Sequence, residues 1–310
     1  MRVLITCPPM LRNLDEFRPR FAARGIGLEA PAVVQTLSEA ELIALVPTCE
    51  GWIIGDDPAT RAVFAAGRAG KLKAAVKWGV GVDNVDFAAA REMGLPIAHT
   101  PLMFGREVAD VAMGYVIAVA RGLVAIDRGI RVGGWPKPSG ISLAGRAVAL
   151  VGYGDIGRNV ARRLLASEMR VLVYDPVLDP GYAPEDVEVA RWPERVGEAD
   201  FIVLTCALTR ENHHMLNGSV LAGASRGVRV VNVARGPLID EAALVAALRS
   251  GQVGAAALDV FEEEPLPSES PLRQFEQCVL GSHNGSNTVD GVRRASERAM
   301  ELLFGFLGVQ

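Results

Sequence analysis

Along nearly the whole chain, short apolar runs alternate with stretches whose apolar positions recur every three or four residues. Val3-Leu4-Ile5, Gly51-Trp52-Ile53-Ile54 and Ala74-Ala75-Val76-Lys77-Trp78 read as strands. Residues 38–46, 59–66 and 85–93 carry the helical period between and after them. Ser38 followed three residues later by Glu41 is a capping-box start for the first of these helices. Such alternation predicts βα units on a parallel sheet. Gly94-Leu95-Pro96 breaks the pattern before one more short strand, Ile97 to His99, and Pro101 marks a hinge.

A long helix is predicted next, from about Glu107 to Arg131, with Val108, Val111, Ala112, Tyr115, Val116 and Val119 on one face and Gly133-Gly134-Trp135-Pro136 ending it. From Arg146 onward the strand runs become almost wholly apolar: 147–151, 171–174, 201–205, 228–233 and 255–258, with Val279-Leu280 as a possible last strand. Strands of that kind are covered by helices on both faces. A helix over 289–307 closes the chain and is expected to return to the first domain. The reading is therefore 1–100 plus 286–310 as one domain and 101–285 as a second, within the size at which one core usually splits. Half of the residues are hydrophobic, which argues against disorder. A net charge of −4 without a basic block gives no sign of a nucleic-acid surface, and no apolar run reaches the length of a membrane span. Cys7, Cys49, Cys206 and Cys278 lack metal-ligand or disulfide-framework spacing, so no metal is expected and the protein is read as cytoplasmic.

The most specific local motif is Gly152-Tyr153-Gly154-Asp155-Ile156-Gly157, which follows the strand 147–151 and opens a helix. The first glycine makes a tight turn, the second lets the backbone approach a diphosphate, and the third lets helix and strand pack closely. Free N–H groups and the helix dipole then favour the negative charge. Asp175 ends the next strand, at the distance where a carboxylate meets the ribose hydroxyls and repels a 2′-phosphate. Pro176 to Asp179 offers no arginine or lysine to hold such a phosphate, so NAD is expected over NADP.

Nicotinamide chemistry on a hydroxy acid needs a cation for the carboxylate, a titratable group for the alcohol proton, and a partner that orients that group. Arg235, Glu264 and His283 supply these types, each just after a predicted strand. Together with residues 79–86 (GVGVDNVD), 231–237 (VNVARGP), 258–265 (LDVFEEEP) and 281–283 (GSH), the chain resembles the D-isomer-specific 2-hydroxyacid dehydrogenase family over almost its full length. Within that family it is most similar to the D-3-phosphoglycerate dehydrogenase-like branch, in a short form without a C-terminal regulatory domain. The resemblance implies an α/β protein of two Rossmann-like/flavodoxin-like domains with parallel sheets and an active site in the interdomain cleft. It implies an NAD-dependent oxidoreductase acting on a small 2-keto or 2-hydroxy acid by direct hydride transfer, and a homodimer joined through the region of Gly105 to Trp135. By the same resemblance, Arg235 holds the substrate carboxylate and keto oxygen, His283 is the general acid in reduction, and Glu264 pairs with His283. Val80 and Gly81 offer N–H groups to the carboxylate. Gly152, Gly154, Asp155, Ile156, Gly157, Asp175, Cys206, Val233, Ala234, Arg235, Asp259 and His283 face the cofactor, with Asp259 at the carboxamide end.

Two departures from the family pattern stand out. Ser282 precedes His283 where a proline is usual, and residues 54–57 (IGDD) lack the basic groups expected around a substrate phosphate, which disfavours 3-phosphoglycerate. Lys77 and Arg106 are the nearest candidate cations. Glu264 disfavours formate dehydrogenation, where glutamine is expected, and Val80 disfavours phosphite oxidation, where lysine is expected. An NAD(H)-sensing corepressor-like protein on the same scaffold is the alternative from a different class.

Overall fold

The computed structural model describes residues 1–178 and 186–309, and the chain divides into two compact units, Met1–Phe104 with Asn287–Gln310 and Gly105–Ser286. In the first unit the elements run β1 (Arg2–Ile5), α1 (Pro8–Arg12), α2 (Leu14–Ala22), β2 (Gly27–Glu29), α3 (Glu39–Leu45), β3 (Gly51–Ile54), α4 (Arg61–Ala69), β4 (Ala74–Lys77), α5 (Phe87–Glu92) and β5 (Ile97–His99). Among the described residues they form a five-stranded, all-parallel sheet in the order β2-β1-β3-β4-β5. That is the flavodoxin-like winding. Its core gathers Leu4, Leu42, Trp52, Ile54, Val63 and Phe64. The buried Trp52 indole N–H donates to Thr6 Oγ1 at 3.0 Å, so burial leaves no orphan donor. The Ser38–Glu41 capping box forms: Ser38 Oγ accepts the Glu41 N–H and Glu41 Oε2 accepts the Ser38 N–H.

The second unit runs α6 (Gly105–Arg121), α7 (Leu123–Arg131), β6 (Ala147–Val151), α8 (Asp155–Ala166), β7 (Arg170–Tyr174), β8 (Glu188–Val189), β9 (Phe201–Leu204), α9 (Gly218–Gly223), β10 (Val228–Asn232), α10 (Glu241–Ser250), β11 (Val253–Leu258) and β12 (Cys278–Leu280). Its seven described strands are all parallel, in the order β12-β11-β10-β9-β6-β7-β8. Counted from β6 this is the dinucleotide-binding order with one further strand at the edge. The order reverses between β6 and β9, and the crevice at their carboxyl ends is where such sheets place ligands.

The single helix expected over 107–131 is two helices that meet at 67°. Gly122 sits between them at φ +63°, a left-handed conformation that a side chain would oppose. The apolar period continues on both sides of the break, and for that reason the pattern alone reads as one helix. No single helix among the described residues is long and apolar enough to cross a membrane.

α11 (Val289–Leu307) belongs to the first unit. Val292, Ala295, Ala299, Met300 and Leu303 form its buried stripe, each 2% exposed or less. Side chains of the size of Met300 and Leu303 contribute about 1.5–3 kcal/mol each when fully buried. Ser296 on the same face accepts the Trp78 indole N–H at 3.0 Å, and Phe304 meets Phe21 edge-on at 5.2 Å.

Candidate functional site

The glycine turn lies at the switch point of the second sheet. Gly152 follows β6 at φ +96°, and a Cβ there would sit 2.6 Å from the Cys206 nitrogen, just past β9. Only glycine fits. A Cβ on Gly157 would collide with the Gly152 carbonyl oxygen and come within 3.1 Å of Thr205 Oγ1. Gly154 differs from both: a Cβ there meets no protein atom within 4 Å. Packing therefore demands the outer two glycines, while the middle one faces open space at the N-terminus of α8, which has no side-chain cap. An anion approaching that helix end meets backbone N–H groups and the positive end of the dipole.

Asp175 closes the turn from the β7 side. Its Oδ2 accepts the Tyr153 N–H at 2.7 Å and its Oδ1 the Val177 N–H at 3.0 Å. Each oxygen keeps a second lone pair for a hydroxyl donor. Asp179, the end of the cation-free run after it, lies outside the described residues. The Asp155 carboxylate packs against Gly105 at the start of α6 and accepts from Asn159 Nδ2 at 3.3 Å, leaving its backbone N–H as the group suited to a diphosphate. Ile156 is the next residue of α8. Cys206, set over Gly152, is a thiol whose pKa burial pushes up to about 11, so it contributes surface and no charge. Val233 and Ala234 follow β10, each 7% exposed. This set fits NAD: a glycine cradle, an uncapped helix end and an acid at the ribose position.

The second group lies on loops after β10, β11 and β12. Arg235 is half-buried, and its Nη1 donates to its neighbour's carbonyl, Ala234 O, at 2.8 Å. Its backbone is fixed by Asn232, whose amide donates to Arg235 O at 2.9 Å and accepts the Ala234 N–H at 3.0 Å. Glu264 Oε2 stands 2.7 Å from His283 Nδ1, with the two side chains 21% and 23% exposed. Glu264 Oε1 accepts the Phe261 N–H at 3.0 Å, which aims the carboxylate. An ionised glutamate only accepts, so Nδ1 carries the proton and Nε2 lies on the opposite side of the ring. Burial pushes the nearby Glu241 carboxyl up, and the charges of Glu262, Glu264 and Glu263 add to that. A negative neighbourhood of this kind favours the protonated form of a histidine.

Asp259 is 3% exposed. Its carbonyl accepts the His283 N–H at 2.6 Å, its Oδ2 the Gly285 N–H at 2.8 Å, and its Oδ1 the Tyr115 hydroxyl at 3.1 Å. The spacing of motifs brings Asp259 to the histidine loop, but the sequence carries no sign of its link to Tyr115. Thr205 Oγ1, which lies 3.0 Å from Val151 O and 2.9 Å from Gly152 O, and Asn232 are further residues that sequence reasoning missed. Thr205 acts through tertiary hydrogen bonds that no motif records, whereas Asn232 acts locally, on the main chain two and three residues further along.

In the first unit, Val80 and Gly81 lie on the loop after β4, and among the described residues no hydrogen bond takes up either N–H. Lys77, at the end of β4, is 2% exposed and donates to Gly55 O at 2.7 Å and Asp56 Oδ1 at 2.9 Å. Asn84 donates to Gly55 O and Asp57 O, tying the same loop to residues 79–86. Of the other histidines, His214 meets Glu262 at 2.7 Å and stacks on His213, while His99 lies edge-on to Phe87.

Residues 113–285 match the family model described as D-isomer specific 2-hydroxyacid dehydrogenase, NAD binding domain. The chain is 35% identical over 286 residues to the hydroxypyruvate reductase of Thermotoga maritima, covering 91% of this chain and 92% of that protein. It is 36% identical over 280 residues to D-3-phosphoglycerate dehydrogenase 3, chloroplastic, of Arabidopsis thaliana, covering 87% of this chain. The match spans only about half, 47%, of the plant protein. Among solved structures, the TT0316 protein from Thermus thermophilus superposes with a TM-score of 0.87 at 35% identity, over 99% of this chain and 97% of that one.

Proposed function

Because the chain belongs to the D-isomer specific 2-hydroxyacid dehydrogenase family, we propose that it is an NAD-dependent reductase of small 2-keto acids, working through Arg235, Glu264 and His283. The observation that carries this reading is the 2.7 Å Glu264–His283 pair, at the same carboxyl end of the parallel strands as the glycine cradle. The planar guanidinium of Arg235 is suited to grip the substrate carboxylate and keto oxygen through paired N–H donors. The backbone N–H groups of Val80 and Gly81 are themselves suited to a carboxylate. Bound NADH supplies the hydride that reduces C2 of the keto acid. His283, protonated and held by Glu264, gives its Nε2 proton to the keto oxygen, and Glu264 stabilises the imidazolium beforehand. In the oxidative direction Nε2 takes the same proton back. Asp175 selects NAD over NADP by repelling a 2′-phosphate.

The substrate side chain is small and uncharged in this reading. Lys77, the buried cation near the β3 loop, is already bonded to Asp56 and Gly55 O, and Asp57 beside it adds no cation. Among the described residues of that loop, a phosphorylated three-carbon acid finds no counter-charge. Glyoxylate and hydroxypyruvate, the substrates named for relatives of this chain, fit that requirement. NADH oxidation with a panel of glyoxylate, hydroxypyruvate, pyruvate and phosphohydroxypyruvate tests the reading, with the unphosphorylated acids expected to turn over best and NADPH to serve poorly. Absence of turnover with every acid would overturn it. The corepressor-like alternative has no support among the relatives.

The homodimer is also a proposal. α7 buries none of its residues, and Leu123, Ile130, Val132 and Trp135 stand 43–85% exposed. An apolar surface of that kind calls for a partner, and a second copy of the same surface supplies one. A mass of about 66 kDa in solution, twice the 33.0 kDa chain, is the expected result. Four free thiols, with no disulfide among the described residues, are consistent with the reducing cytoplasm, where we place the protein.

A further inference from the structure

Tyr115 lies on α6, 144 residues before Asp259 in sequence, yet its hydroxyl donates to Asp259 Oδ1 at 3.1 Å. Asp259 in turn holds the histidine loop at two points, through its carbonyl to the His283 N–H and through Oδ2 to the Gly285 N–H. The loop needs that hold. His283 is a non-glycine residue at φ +52°, a conformation that costs about 1–2 kcal/mol and persists only where surrounding bonds impose it. Gly281, at the loop entrance, packs so closely under both groups that a Cβ there would collide with Asp259 Oδ1 and the Tyr115 oxygen alike. Tyrosine, carboxylate and loop backbone therefore form one close-packed assembly.

We propose that Tyr115 is a positioning residue for His283, acting through Asp259. This inference rests on the assignment of His283 as the proton donor. The phenol O–H fixes the side-chain rotation of Asp259. That rotation sets where Oδ2 holds Gly285 and thereby how squarely the His283 ring meets Glu264. Burial and the adjacent carboxylate push the Tyr115 phenol well above its ordinary range, so it stays a donor across the working pH. The charged cluster beside the dyad, Glu241, Glu262 and Glu263 with His214 on Glu262, is chemically unchanged when only the Tyr115 hydroxyl is removed.

Tyr115→Phe removes one hydroxyl and keeps the ring. The expected result is a kcat about tenfold lower, since small misplacements of a catalytic group cost one to two orders of magnitude. KM for the keto acid stays within about twofold, because Arg235 is untouched. In the cofactor-free protein, the NMR titration of the His283 ring moves to lower pH, because a looser Glu264 contact supports the imidazolium less. In an Asp259→Asn background the same substitution has little further effect. A folded Tyr115→Phe protein with unchanged kcat and an unchanged titration overturns the proposal, as does a full, additive loss in the Asp259→Asn background. If the parent protein reduces no 2-keto acid, the functional reading fails by itself, and the ring titration still decides the coupling.

Discussion

Gly154 and Gly157 stand three residues apart in one motif, yet alanine should harm the protein in different ways at the two positions. At Gly154 an added Cβ meets no protein atom within 4 Å, and the backbone φ of −72° is open to any residue. Losing glycine at an N-cap costs some tenths of a kcal/mol, and stiffening the unfolded chain returns about 0.4–1 kcal/mol, so stability changes little. The methyl instead occupies the approach to the helix end. A tenfold rise in the Kd for NADH, about 1.4 kcal/mol, is the smallest effect consistent with a diphosphate passing there. At Gly157 the added Cβ runs into the Gly152 carbonyl, main chain that moves only if α8 lifts off β6. Overpacking of that kind costs about 1–3 kcal/mol, which lowers the melting temperature by about 2–4 °C per kcal/mol in a unit of this size. Calorimetric NADH titration and thermal melts on both variants separate the cases. A Gly154→Ala protein that binds NADH as tightly as its parent would refute the cradle, and a Gly157→Ala protein of parental stability would refute the packing argument.

Arg235→Lys should raise KM for the keto acid by at least about tenfold with the Kd for NADH unchanged, because a lysine cannot reproduce the planar two-point grip; steady-state kinetics and calorimetry read both. Lys77→Met should lower stability by about 1–3 kcal/mol in guanidinium unfolding, less than for a fully buried pair because Asp56 retains 37% exposure. Burial pushes Cys206 and Cys278 up to about 11, and it raises Cys7 and Cys49 as well. A raised folded pKa means that the thiols' stabilising contribution is whole below their unfolded value of about 8.5 and is lost as pH rises through the folded values. The guanidinium midpoint should therefore fall between about pH 8.5 and about pH 11. The native protein should label slowly with alkylating reagents at about pH 8, whereas fast labelling of Cys206 at that pH would contradict the burial argument.

Most of the sheet framework is legible in the sequence because a strand buried on both faces is a solid apolar run, as in Ala147–Val151 and Phe201–Leu204. β2 escapes that reading: it has three residues, GLE, at a sheet edge and partly exposed, so no apolar run marks it. α1 escapes because it begins on Pro8-Pro9, residues that signal a break unless the first turn of a helix is already known to start there. The bend at Gly122 is invisible for a related reason, since periodicity reports which face is buried and not the direction of the axis. The glycine turn, Arg235, Glu264 and His283 are marked by local strings. Tyr115 and Thr205 are not, because their partners lie far off in sequence and are brought close only by the fold.

His283 carries the central chemical role. His283→Ala, assayed for NADH oxidation with the best keto acid and for NADH binding by calorimetry, should lose about 10²- to 10⁴-fold in kcat, the range expected for a general acid, while binding NADH with little change. A variant that turns over at the parental rate would show that the proton comes from elsewhere and would contradict the assignment of the Glu264–His283 pair.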